Sequence, residues 1–151
     1  MPRKIDARLA PVSAAGGQPA GAVDLADGIV RVRGVADLTV EPAGEAIEVT
    51  NAHGAQQIWT RKTPARARGT LAGRKVDLPA LLDDPAGYHA RGTDWEWAAG
   101  AGVSVDGRDV RWNLVTGVHD GATGSERHVW VDGVAAEVGP VSFSHDLDEV
   151  A

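Results

Sequence analysis

Between Tyr88 and Phe143 the chain places four of its five tryptophans, Trp95, Trp97, Trp112 and Trp130, in short apolar runs joined by two Asp-Gly pairs, Asp106-Gly107 and Asp132-Gly133. No other feature restricts the fold as much. Alternating large side chains mark extended backbone, because successive strand residues point to opposite faces. An Asp-Gly pair between two such runs supplies the positive φ angles of a tight antiparallel turn. Parity then puts Trp95, Trp97, Ala99 and Ala101 on one face, and Asp94, Glu96, Ala98, Gly100 and Gly102 on the other. In the next run Val110, Trp112 and Leu114 share a face, and Arg111, Asn113 and Val115 share the opposite one. The Gly100 and Gly102 pair predicts a bulge or a sharp bend.

The first half carries the same signature in shorter runs. Ile29–Arg33, Asp37–Glu41, Ala46–Thr50 and Gln56–Arg61 are rich in β-branched residues and bounded by Gly34, Pro42 and Asn51-Ala52-His53-Gly54. Thr70-Leu71 and Val76–Leu78 flank Gly73-Arg74 as a small hairpin, and Leu78–Asp84 reads as a single helical turn kept short by Pro79 and Pro85. About nine or ten strands and no long helix predict an all-β fold, an antiparallel meander forming a curved sheet or a small barrel. Residues 1–28, broken by Pro2, Pro11 and Pro19, predict a flexible N-terminal segment; 29–147 form a single domain and 148–151 a tail.

Charge and composition remove several function classes. A net charge of −6 disfavours nucleic acid, which is bound by clustered Lys and Arg. The one basic cluster, Arg61, Lys62, Arg66 and Arg68, reads as a solvated strand end or loop. The chain has no cysteine, which excludes disulfides, thiolate zinc sites and a thiol nucleophile, and fits a cytoplasmic location. No apolar stretch approaches the ~20 residues of a membrane span. Phosphate loops, nucleophile elbows and dinucleotide fingerprints are missing, so no cofactor is expected.

Five blocks carry a family resemblance: Asn51–Gly54, Trp59–Lys62, Gly87–Trp97, Trp112–Gly117 and Gly124–Gly133. From residue 29 to residue 147 the chain resembles the bacterial family known as domain of unknown function 2804. The resemblance implies a lipocalin-like β-barrel, with a more distant similarity to carotenoid hydratase-type proteins. The family pattern continues beyond Phe143 and begins before Ile29, so the chain resembles an interior portion: a truncated version, a partial gene or a minimal form. A barrel lacking its closing strands has open edges, and a homodimer is the expected way of covering them.

The candidate site residues follow. Trp95, Trp97 and Trp112 read either as a stacking wall for a small lipophilic or aromatic molecule or as core filling, the commoner use of tryptophan where Phe and Tyr are scarce. Trp59, Asn113 and Arg127 join them as expected ligand contacts. Glu126 and Arg127 alternate, so one of them faces the concave side near Asn113, either as an acid/base group or as half of an ion pair pinning a strand end. For Asp132 the turn is sufficient reason. His53, His89, His119, His128 and His145 lack metal-ligand spacing, so no metal is expected. His53 and His89 fall in the resembling blocks. Asp83, Asp84, Tyr88 and Arg91 surround a turn at Pro85–Gly87, as proton donors or as a loop cap. Three readings result: a small-molecule-binding module; a cofactor-free hydratase, isomerase or cyclase pairing Glu126 with His53, His89 or Tyr88; and a structural module with no pocket.

Overall fold

The computed structural model describes residues 23–26, 28–53, 56–87, 95–117 and 124–145. The expected flexible segment lies almost entirely outside the described residues, as do Tyr88, His89, Arg91 and His119. Ten strands and no helix are present among the described residues: β1 (Val23–Ala26), β2 (Ile29–Val32), β3 (Ala36–Pro42), β4 (Ile47–His53), β5 (Gln56–Leu71), β6 (Arg74–Gly87), β7 (Glu96–Val103), β8 (Asp109–Thr116), β9 (His128–Val131) and β10 (Val134–Glu137). All pairings are antiparallel. One sheet runs β1-β2-β3-β5-β4 with β6 on the far edge of β5, and the other runs β10-β9-β8-β7. The fold is all-β, with a strongly curled, half-barrel sheet.

Strand β5, 16 residues long, organises the first sheet. Along one edge it pairs with β4 through Gln56–Lys62 and with β3 through Ala65–Leu71; along the other it pairs with β6 from Ile58 to Leu71. The change of partner falls at Thr63 and Pro64. A proline has no N–H to give to a ladder, so it fits where the ladder is interrupted. The Pro64 carbonyl accepts instead from the Ala43 amide, at 2.7 Å. The β5–β6 hairpin closes on Ala72 (φ 48°) and Gly73 (φ 76°), and the β9–β10 hairpin on Asp132 (φ 51°) and Gly133 (φ 83°). Two successive positive φ angles twist a two-residue loop to match right-handed strands. The Asp132 carboxylate does more than make a turn: it accepts from Arg108 Nε at 2.8 Å and from the Asp109 amide at 3.1 Å.

Three local expectations are corrected. Leu78–Asp84 is not a helical turn but the middle of the 14-residue β6, where Pro79 and Pro85 are tolerated because the ladder to β5 occupies only one strand edge. No bulge interrupts β7, whose register with β8 is continuous from Glu96↔Thr116 to Val103↔Asp109. Gly100 instead makes room for an indole, since a Cβ there would lie 2.2 Å from the Trp112 ring. The basic cluster is not a loop; Arg61, Lys62, Arg66 and Arg68 all lie within β5. The same strand needs glycine at Gly69 (φ 144°), where a Cβ would sit 2.1 Å from the Asp37 carbonyl oxygen.

Val40, Ala65 and Ala67 form the buried apolar cluster, with Val30, Leu38, Ala80 and Leu82 packed against it. Hydrogen bonds from buried side chains also join the two sheets. Arg111 is 1% exposed, and its guanidinium donates from Nε to the Ala80 carbonyl and from Nη2 to the Ala65 carbonyl, both at 2.9 Å. Trp130, fully buried, donates from Nε1 to the Glu45 carbonyl at 2.9 Å, and the Glu45 amide donates to the Gly133 carbonyl at 2.8 Å. Removing a buried guanidinium forfeits charge-assisted hydrogen bonds, so Arg111→Met is expected to cost roughly 2–4 kcal/mol in urea unfolding. Arg31→Met, which removes an exposed pair with Asp37, is expected to cost less than about 1 kcal/mol.

Candidate functional site

Register carries a set of side chains to the place where the sheets diverge. Ile58, Thr60 and Lys62 alternate onto one face of β5. Asn51 of β4 is directly opposite Ile58, and Asp83 and Pro85 of β6 are opposite Lys62 and Thr60. From the second sheet come Trp97 and its cross-strand partner Val115, joined by Trp95 just before β7 and Glu126 just before β9. These ten residues line a half-open cleft of about 260 Å³. Trp95 and Trp97 are 49% and 52% exposed, so their indoles form a wall that is not sealed.

Opposite the indoles stands a charged network. The Lys62 ammonium, with its side chain 5% exposed, donates to Asp83 Oδ2 at 2.7 Å and lies 3.3 Å from Glu126 Oε2. Lys62 and Asp83 meet because they are a direct cross-strand pair. Glu126 reaches them from the other sheet, and its Oε1 accepts from Asn51 Nδ2 at 3.2 Å. Asn113, fully buried beneath, holds two elements at once: its Nδ2 donates to the Glu126 carbonyl at 2.7 Å and its Oδ1 accepts from Trp97 Nε1 at 2.9 Å. One continuous run of hydrogen bonds and ion pairs therefore leads from Trp97 through Asn113 and Glu126 to Asn51, Lys62 and Asp83. Among the described residues the cleft carries formally one cation and two anions.

Trp95, Trp97 and Glu126 line the same cleft, and Asn113 bonds both Trp97 and the Glu126 backbone. Trp112 is not part of that wall. It pairs with Gly100 and projects with Val110 and Leu114 from the opposite face of β8, because 112 and 113 differ in parity. Trp59, opposite Thr50, likewise projects away from Ile58 and Thr60. Arg127 is half-buried beside Glu126 without lining the cleft; its amide donates to Ser125 Oγ at 3.2 Å. His53 ends β4 in register with Gln56, and its side chain, like Tyr88 and His89, is outside the described residues. Lys62 and Asn51 were missed as site residues. Ile58, Thr60 and Lys62 share parity, but parity alone does not say which face is inward, and nothing local marks Asn51. Among the described residues, no group of three or more acidic or histidine side chains is placed to hold a metal.

The sequence pattern of the family described as Domain of unknown function (DUF2804) matches residues 32–151. The chain belongs to this family. No curated protein and no solved structure matches it. Every described cleft residue falls within the family match, including Asn51, Lys62, Asp83, Trp97 and Glu126.

A second titratable group sits on the inner face of the second sheet. His128 is directly opposite Asn113, with its ring centroid 5.8 Å from that of Trp130. Burial pushes its pKa below the ordinary value of 6.5, against the opposing pull of the Glu137 carboxylate and the Ser125 backbone.

Two expectations follow. Lys62→Met strips the cation from between two carboxylates and is expected to cost roughly 3 kcal/mol, a loss that Lys62→Met/Glu126→Gln recovers in part, with a coupling of at least about 1 kcal/mol in a double-mutant cycle. For His128, the unfolded chain holds the proton more tightly than the folded one, so its contribution is complete above the ordinary value of 6.5 and is lost as pH falls through the lower folded value. The urea midpoint should therefore fall on acidification from near neutrality, and His128→Gln should flatten that part of the profile. Asp77 and Asp132, held below the carboxylate range by hydrogen bonds from Arg66 and Arg108, contribute their losses only below the ordinary value of 3.8.

Proposed function

We propose that this protein binds a small lipophilic or aromatic molecule in the cleft between its two sheets, in the manner of a lipocalin-like barrel. The observation that carries the reading is the opposition of two half-exposed indoles, Trp95 and Trp97, to a fixed polar wall of Asn51, Lys62, Asp83 and Glu126 across about 260 Å³ of space. Ligand pockets combine such an apolar body with a few convergent polar groups. The volume sits near the lower limit of the ~300–1,000 Å³ common for ligand pockets, which suits one or two rings rather than a long polyene. Trp97 has a further qualification as a ligand platform: Asn113 fixes its indole nitrogen, so little ordering remains to be done on binding.

The Glu126 carboxylate facing the cleft favours a second reading, acid/base catalysis by a cofactor-free hydratase, isomerase or cyclase in the same space. Glu126 is held there by Asn51 and Lys62, which would orient its oxygens toward a substrate.

Tryptophan emission tests both. Titration with compact aromatic compounds should give a saturable change that Trp97→Phe removes and Trp112→Phe preserves, because the latter indole lies on the other face. If no compound produces saturation, or if Trp112→Phe removes it and Trp97→Phe does not, the cleft is not the binding site. Under the second reading Glu126→Gln abolishes turnover of a bound compound while leaving that saturation intact.

A further inference from the structure

We propose that the ligand of this cleft carries a hydrogen-bond donor on an aromatic or lipophilic body, and that the preferred donor is an amine, with carboxylates and phosphates excluded. The inference rests on the binding reading above and narrows its chemistry. Three independent observations converge on it.

The first is an unpaired acceptor. Asn51 is 1% exposed and lines the cleft, and its Oδ1 makes no hydrogen bond among the described residues. The amide cannot be turned over to cure this. Its Nδ2 already donates to Glu126 Oε1 at 3.2 Å, and reversal would set the amide oxygen against a carboxylate oxygen. A buried acceptor of this kind is satisfied by an N–H or O–H and by nothing that offers only acceptors; because Oδ1 is shielded from solvent, a donor in the cleft reaches it with a movement of the side chains over it.

The second is the charge inventory. Asp83 and Glu126 bring two negative charges to the cleft and Lys62 one positive charge, already engaged by both. Among the described residues an incoming carboxylate would meet no uncommitted cation there and would stand close to Glu126 and Asp83. An ammonium group adds a countercharge where the protein has left one short. The third is the opposite wall. Trp95 and Trp97 present half-exposed indoles, and the face of an indole attracts a cation through its quadrupole. Acceptors and indoles lining one cleft are the two requirements for recognising an amine attached to an apolar group. The donor would bond Asn51 Oδ1 and reach Glu126, and the apolar body would lie against Trp97.

A matched series of single-ring compounds tests this on the full-length chain by calorimetry: phenethylamine, 2-phenylethanol, ethylbenzene and 3-phenylpropanoate. The expected order of affinity is amine, alcohol, hydrocarbon, carboxylate, with at least a tenfold gap between amine and carboxylate. Asn51→Ala should weaken the amine and the alcohol about tenfold or more while changing ethylbenzene little. Should Asn51→Ala fail to fold, Glu126→Gln serves instead, and is expected to narrow the gap between amine and carboxylate. If the compounds bind with equal affinity, or the carboxylate binds tightest, the amine preference is overturned and the cleft remains a binding site. If none binds, while larger aromatic compounds do so with the Trp97 dependence described above, the proposed ligand class is again wrong. Absence of binding by every compound in both sets removes the binding reading itself and this inference with it.

Discussion

The arrangement depends on an ammonium group held out of water between two sheets. Lys62 extends from β5 to a carboxylate on the neighbouring strand and to another on the opposite sheet. Burying a charge without partners is prohibitive, so Lys62 is stable there only while both sheets contribute. That requirement sets their separation at this end of the molecule. Packing through aliphatic side chains alone would let the sheets close on one another. The Lys62–Glu126 pair bridges the two sheets beside the cleft that both residues line.

Asn113 and Arg111 extend the same logic along β8. Both are buried and lie two residues apart on the inward face; Arg111 bonds carbonyls of β5 and β6 in the first sheet, whereas Asn113 ties Trp97 to the Glu126 backbone within the second. Apolar contact is non-directional and tolerates sliding, whereas the Arg111 bonds specify the placement of one sheet on the other. The apolar cluster around Val40, Ala65 and Ala67 belongs to the curled first sheet, so burial and orientation are handled by different residue sets. The result is a fold in which the site is continuous with the structural interface. Trp97 is fixed by the same asparagine that fixes the backbone of Glu126.

Much of the strand pattern was legible from alternation. The opposed faces of β7 and β8 and the tight turn at Asp132-Gly133 were read correctly, because side-chain parity and positive-φ turns are local properties. The β5–β6 hairpin was read only in pieces. Pro64, Pro79 and Pro85 interrupt its pattern, and each is tolerated because of what does or does not pair with that strand edge, which is a matter of neighbours. Lys62 was placed in solvent for a similar reason. A lysine within a basic run looks like surface until Asp83 and Glu126 are seen to converge on it from 21 and 64 residues away in sequence, the latter being 126 less 62. The expected wall of three tryptophans divides, since the β7–β8 register sets Trp97 against Val115 and Trp112 against Gly100, on opposite faces, and that register is not written in either strand alone.

What the order of residues settled alone was which atoms share a side of one strand: alternation is imposed by the backbone, and it puts Trp95 with Trp97 on one face of their strand and Arg111 with Asn113 on one face of theirs before any neighbour is known. What that surface confronts was decided only when the ribbon curled and the sheets came together. Pairing across 75 residues, as between Asn51 and Glu126, leaves no periodic trace in the chain. It arises from the closing of one sheet over another, and the cleft, its charges and its unsatisfied acceptor arise with it.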